Sequence, residues 1–157
     1  HLQSPAVAPT HITLDMPAVP ITGDFDDTMM NQALTNLIKN AGEAIDGMET
    51  IPESHAPEIR VTVTTDDGAT IVDIADNGRG LPAENRSRLF EPYVTHRDSG
   101  TGLGLPIVKK IIEEHGGTLD LTDAPPFGEG PHRGALARII LPFGLDFDKL
   151  EENAEVA

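Results

Sequence analysis

Apolar and polar residues alternate over HITLDMP, residues 11–17, and a period of two predicts a short strand. The period then lengthens to that of a helix across TMMNQALTNLIKNAGEAIDGM, residues 28–48. At about 100° per residue, Leu34, Leu37, Ala41, Ala44 and Ile45 fall on one apolar stripe. Asp26 or Asp27 can cap the start of this helix, and Gly47 lies near its end. EIRVTVTTDD (58–67) and ATIVDIAD (69–76), with a DDG turn between them, predict a β-hairpin. The next segment, NGRGLPAENRSRLFEPYVTHRDSG (77–100), is rich in glycine, proline and charge, with room for at most a short helix. A connection of that length inside a compact domain is usually functional or mobile. Helical periodicity returns from about Leu105 to His115, with Pro106 in the first turn, where proline sacrifices no hydrogen bond. TLDLTD (118–123) and GALARIILP (134–142) predict two closing strands around the loop APPFGEGPHR. Strands outnumber helices, and the helices fall between strands. The expected class is α+β, a two-layer α/β sandwich whose mixed, mostly antiparallel sheet is covered on one face by helices.

A length of 157 residues suits one domain with a core of its own. The absence of cysteine excludes disulfides, thiolate metal sites and a thiol nucleophile. No apolar run reaches membrane-spanning length and there are no internal repeats. The opening HLQSPAVAPT, without an initiating Met, suggests a piece of a longer protein. Residues 1–9 read as linker, 10–143 as the domain and 144–157 as a loosely held acidic tail. A formal charge of −15 argues against non-specific binding to nucleic acid or an anionic membrane. Yet six of the 11 Lys and Arg (Arg79, Arg86, Arg88, Arg97, Lys109 and Lys110) share residues 79–110 with only Glu84, Glu91 and Asp98. Such an island suits a small anion, or it is a solvated face clustered by chance.

Three stretches carry candidate chemistry. Asn36 and Asn40 lie four apart along the edge of the first helix's stripe, with Glu43 three further on. Asparagine is a mediocre helix former, so two at a core margin need partners. Those partners are either a neighbouring loop or, functionally, a hard cation such as Mg²⁺ and phosphate oxygens. DNGRG (76–80) places Asp76 at a strand end followed by Gly78 and Gly80. A half-buried carboxylate there can accept from an exocyclic amine such as adenine's, and glycines let a flat ring approach. The alternative is a plain Asp-Asn-Gly turn, but this one leads into a long loop instead of a returning strand. GTGLGL (100–105) delivers bare backbone to a helix start, the physics of a phosphate cradle. It is neither G-x-G-x-x-G nor a P-loop.

Taken in order, these stretches resemble the ATP-binding catalytic domain of two-component sensor histidine kinases, within the superfamily shared by gyrase, heat-shock chaperone ATPases and MutL. NLIKNAGEAI is similar to its N box, DNGRG to the G1 box, RLFEPYVTHR to the F box and GTGLGL to the G2 box. The likeness covers roughly residues 12–142, and EPYVTHRDSGTGLGLPIVKKIIEEHGG is most similar to nitrogen-regulation kinases of the NtrY type. The resemblance implies the Bergerat fold with ATP and Mg²⁺ as cofactors. It implies Asn40 as metal ligand and Asn36 as its phosphate-side companion. Asp76 would bind the adenine amine, with Gly78 and Gly80 shaping the purine pocket. Thr101, Gly102, Leu103, Gly104 and Leu105 would form the phosphate loop, and Arg97 would add charge. Residues 83–100 would be a lid, with Phe90 anchoring it or meeting a partner domain. Tyr93, the pair His96-Arg97 and Ala135 depart from the commoner Phe, Thr-Lys and Thr.

Hydrolysing members of that superfamily carry a Glu one turn before the metal-binding Asn, as the base that activates water. Asn36 occupies that place and cannot take a proton at neutral pH. The expected activity is therefore transfer of the γ-phosphate to a histidine on a separate dimerisation domain of the same kinase, for relay to a response regulator. The alternatives are a nucleotide-sensing pseudokinase module and a gyrase- or MutL-like ATPase. His1, His11, His55, His96, His115 and His132 all read as loops, termini or helix ends, outside any phosphoacceptor pattern. The acceptor is thus expected elsewhere, and no autophosphorylation of this chain alone. His115 is expected to end its helix as a cation. The chain itself should be soluble, monomeric and cytoplasmic, and its parent anchored in the bacterial inner membrane.

Overall fold

The computed structural model of the chain describes residues 10–16, 26–48, 55–91, 104–128 and 131–142. Among them, in chain order, are β1 (His11–Asp15), α1 (Asp27–Asp46), β2 (Glu58–Asp66), β3 (Ala69–Asp76), a short 3₁₀ helix (Arg86–Phe90), α2 (Gly104–Glu114), β4 (Thr118–Asp123) and β5 (Ala135–Leu141). The strands form one sheet in the order β1-β2-β3-β5-β4. β1 runs parallel to β2, and every other neighbouring pair is antiparallel. Both helices cover the same face, α1 over β2 and β3 and α2 over β4. The mixed sheet and single helical layer are those the residue pattern predicts. Linker 1–9, tail 144–157 and residues 92–100 of the expected lid lie outside the described residues.

The cap of α1 is Asp26, whose extended backbone lets its carboxylate accept from the Met29 N–H at 3.0 Å. Asp27 is already helical. The stripe that packs inward is Met30, Ala33, Leu37, Ala41 and Ile45, a run of i+3 and i+4 steps. Leu34 and Ala44 of the predicted stripe are only half-buried, while Met30 and Ala33 extend it towards the start of the helix. Facing it are Ile59 and Val61 of β2, Val72 and Ile74 of β3, and Ala137, Ile139 and Leu141 of β5. α2 adds Val108, Ile111 and Ile112, and β4 adds Leu119. The alternate residues of the same strands face away from the helices. There Arg138 donates to both carboxylate oxygens of Asp73 at 2.8 and 2.9 Å, across the β3–β5 register. The hairpin between β2 and β3 closes on Asp67 and Gly68, both at positive φ, as a type I′ two-residue turn requires.

α2 ends in paired bonds from Gly116 N–H to Glu113 C=O and from Gly117 N–H to Ile112 C=O. His115 follows the end of α2 and also reaches the start of α1. Its Nδ1 lies 2.7 Å from the Ile111 carbonyl, to which it must donate, while Nε2 accepts from the Asp26 N–H at 3.0 Å. Both ring nitrogens are therefore engaged by backbone groups. The ring ties the end of α2 to the cap of α1. His11 is no loop residue but opens β1. Among the described residues, no helix is long and apolar enough to cross a membrane.

Candidate functional site

Two segments meet α1 one turn apart. Gly104 opens α2, and a Cβ placed on it would stand 3.7 Å from Oδ1 and 3.8 Å from Nδ2 of Asn40. The Asn40 carboxamide therefore lies against the first turn of α2. N–H groups of a helix start have no intrahelical partners, and the helix dipole favours negative charge there. One turn further along α1, the chain leaving β3 presses Gly78 onto the helix backbone. A Cβ on Gly78 would fall 2.5 Å from the Ala44 carbonyl carbon and 2.7 Å from the Ala44 oxygen and the Ile45 nitrogen. Only glycine fits, and the following Arg79 N–H donates to the Ala44 carbonyl at 3.0 Å.

Asp76, at the end of β3, is 4% exposed. A buried carboxylate is costly unless hydrogen-bonded, and its Oδ1 accepts from the Gly78 N–H at 2.8 Å and the Ala135 N–H at 3.4 Å. Gly134 crosses so close that a Cβ there would overlap the Asp76 backbone oxygen. Gly80 has φ +83°, and a Cβ on it would lie 3.0 Å from the Arg133 carbonyl. Asn77, also buried, donates to the Ala56 carbonyl at 2.8 Å and accepts from the Glu58 N–H at 2.9 Å. His132 Nε2 sits 2.7 Å from the Gly78 carbonyl, with the His55 ring edge-on to it at 5.9 Å between centroids. The turn after β3 is thus gripped by α1, by the segment before β2 and by the loop before β5. What the arrangement offers is a buried carboxylate between closely packed glycines at one end, and a carboxamide beside a helix N-terminus at the other.

Over residues 25–145 the chain matches the family described as histidine kinase-, DNA gyrase B- and HSP90-like ATPases. It belongs to that family. Relatives of this ATPase-family domain include the nitrogen regulation protein NtrY of Azorhizobium caulinodans, 51% identical over 127 residues, or 80% of this chain and 15% of that one. The sensory histidine kinase/phosphatase NtrB of Rhodobacter capsulatus is 40% identical over 115 residues, 69% of this chain and 32% of that one. Among solved structures, a mycobacterial sensor histidine kinase, MprB, superposes with a TM-score of 0.72 at 25% identity, covering 87% of this chain and 86% of that one. Full-length ShkA in complex with AMPPNP gives 0.65 at 26% identity, over 87% of this chain and 26% of that one. The chain spans only about 15% of the NtrY protein it matches.

Within this domain, Asn40, Asp76, Gly78, Gly80 and Gly104 gather along the second half of α1 and its neighbours. Asn36 is half-buried one turn before Asn40, and Leu105 packs partly against the core. Arg97, Thr101, Gly102 and Leu103 lie outside the described residues. Phe90 packs against the core beneath the Lys109 ammonium, 4.5 Å from its ring centroid. The cationic island is partly neutralised: Arg86 pairs with Asp123 at 2.9 Å, Arg88 with Glu91 at 3.5 Å and Lys109 with Glu113 at 3.6 Å. His132 and His55 were not among the expected site residues, and no local periodicity points to them. The one available signal was His132 lying just ahead of the strand that must pass Asp76.

Proposed function

We propose that this domain binds Mg·ATP and passes the γ-phosphate to a histidine on a separate helical dimerisation domain of the same sensor kinase, for relay to a response regulator. One observation carries the reading: α1 presents Asn40 to the start of α2 and, one turn on, cradles the glycine beside buried Asp76. That spacing suits an extended ligand with a flat amine-bearing ring at one end and anionic groups at the other. Asp76 would accept from the adenine amine, and Gly78 and Gly80 would admit the ring. The amides from Thr101 to Leu105 would face the phosphates, with Arg97 beside them. Asn40 would give its carboxamide oxygen, a hard donor of the kind Mg²⁺ takes. Bound Mg·ATP supplies an activated phosphoryl group whose charge the metal shares.

Asn36 sets what happens next. Its carboxamide can orient a neighbour but cannot accept a proton at neutral pH, so water is not activated there. Transfer then depends on positioning and charge neutralisation, with residues 83–100 closing as a lid. The AMPPNP complex of ShkA and the kinase names of the relatives support this assignment. The parent is proposed to be anchored in the bacterial inner membrane with this domain on the cytoplasmic side. The test is to mix the chain with a separately produced histidine-bearing helical domain and radiolabelled ATP. Acid-labile label is expected on the helical domain and not on this chain. Label retained on this chain alone, or no transfer with ATP bound, would overturn the proposal.

A further inference from the structure

We propose that His132 is a positioning residue for recognition of the nucleotide base. By donating from Nε2–H to the Gly78 carbonyl, it locks the peptide between residues 78 and 79 so that the turn holds Asp76 towards the ring. The inference rests on the reading of Asp76 as the base-binding carboxylate.

The peptide between residues 78 and 79 is held at both ends. Its carbonyl lies 2.7 Å from His132 Nε2, and its N–H donates to the Ala44 carbonyl at 3.0 Å. A carbonyl can only accept, so His132 must carry its proton on Nε2. A peptide unit is a rigid plane, and two bonds on its opposite sides fix its rotation about the chain. Glycine at 78 would otherwise tolerate a flipped peptide. Gly78's own N–H, in the adjoining peptide unit, bonds Asp76 Oδ1 at 2.8 Å, so the locked peptide is the one next to the carboxylate's anchor. The His132 ring is in turn braced by His55, edge-on at 88°. His55 Nε2 is enclosed, with no hydrogen-bond partner among the described residues. Burial, and secondarily His132 itself, push the His55 imidazole below its ordinary value, which keeps it an uncharged wall. Asn77 fastens the segment carrying His55 to the same turn.

The contact predicts a specificity effect that mere scaffolding would not produce. ATP and GTP binding would be measured by calorimetry for the parent chain, His132→Gln and His132→Met. Glutamine returns an N–H donor at similar reach, whereas methionine fills similar space without one. Loss of one net hydrogen bond predicts about fivefold weaker ATP binding for His132→Met. Its preference for ATP over GTP should also narrow, because Asp76 then meets the ring less well. His132→Gln should stay within about twofold of the parent, a difference of less than half a kcal/mol. His132→Met matching the parent, or both variants losing affinity equally, would overturn the inference while leaving nucleotide binding intact. A parent that binds no ATP would overturn the proposed function as well. Nitrogen NMR of the parent's imidazoles gives a check that needs no variant: His132 should be the Nε2-protonated tautomer, and an Nδ1-protonated ring would contradict the bond.

Discussion

Replacing Gly78 by alanine puts a methyl group into the backbone of α1. The added carbon would stand 2.5 Å from the Ala44 carbonyl carbon and 2.7 Å from two further backbone atoms. Carbon atoms normally approach to about 3.5–4.0 Å, so the overlap is roughly 1 Å. No side chain can swing aside, because the three nearest atoms are all main chain; either the turn after β3 or the helix must move. Overpacking of this kind costs about 1–3 kcal/mol, and rigid neighbours favour the upper end. For a domain of this size that lowers the melting temperature by roughly 5–10 °C. Displacing the turn also strains the Arg79 N–H bond to Ala44 and the Gly78 N–H bond to Asp76, so ATP affinity should fall with stability. Gly42, on the same helix, is the control. A Cβ there meets nothing within 4 Å. Gly42→Ala should therefore stabilise by about 0.5–1 kcal/mol through helix propensity. Thermal unfolding of the two variants, with ATP titrations beside it, checks both signs. If Gly78→Ala melted with the parent, the close approach of this turn to α1 would be refuted.

His115→Leu removes the acceptor for the Asp26 N–H and the donor to Ile111. It should cost about 1 kcal/mol, with faster amide exchange at Asp26 and Met29 by NMR; unchanged exchange would remove the link between the helix ends. Acidification should destabilise the domain in two windows, followed by denaturant midpoints across pH. His55 has a folded-state value below its ordinary 6.5, from burial and then from His132. The unfolded chain therefore binds its proton first, and stability is lost as pH falls below about 6.5. Glu58 is held low chiefly by its hydrogen bond from Arg60, so its contribution is present above about 4.5 and lost below that. A midpoint that stayed flat between pH 7 and 4 would contradict both.

Much of this architecture is written in local pattern. Asp26 can cap because its side chain reaches Met29 three residues on, and the hairpin turn needs only Asp67 and Gly68. Neighbours in the chain decide such features, so residue type and spacing suffice. The core stripe was legible except for its reach and depth, because which positions are fully covered depends on the sheet beneath the helix. That is why Met30 and Ala33 are buried and Leu34 is only partly so. The glycines near Asp76 were expected to admit a ring. The structure adds that Gly78 and Gly134 are also required by backbone passing backbone. Least legible were contacts between distant segments. His115 meets Asp26 across 89 positions and His132 meets Gly78 across 54. Nothing in a local period encodes these meetings. Nor does sequence clustering show that Arg86 of the cationic island turns to Asp123.

The central claim is that one nucleotide lies along α1, its base at Asp76 and its metal-bridged phosphates at Asn40 and the start of α2. Calorimetric titration of ATP into the parent and Asn40→Ala chains, with Mg²⁺ and then with chelator, tests it most directly. The account predicts that Mg²⁺ strengthens binding to the parent, and that Asn40→Ala binds ATP weakly and almost alike in both conditions. Binding that ignores Mg²⁺ in the parent, or Mg²⁺ dependence that survives in Asn40→Ala, would contradict it.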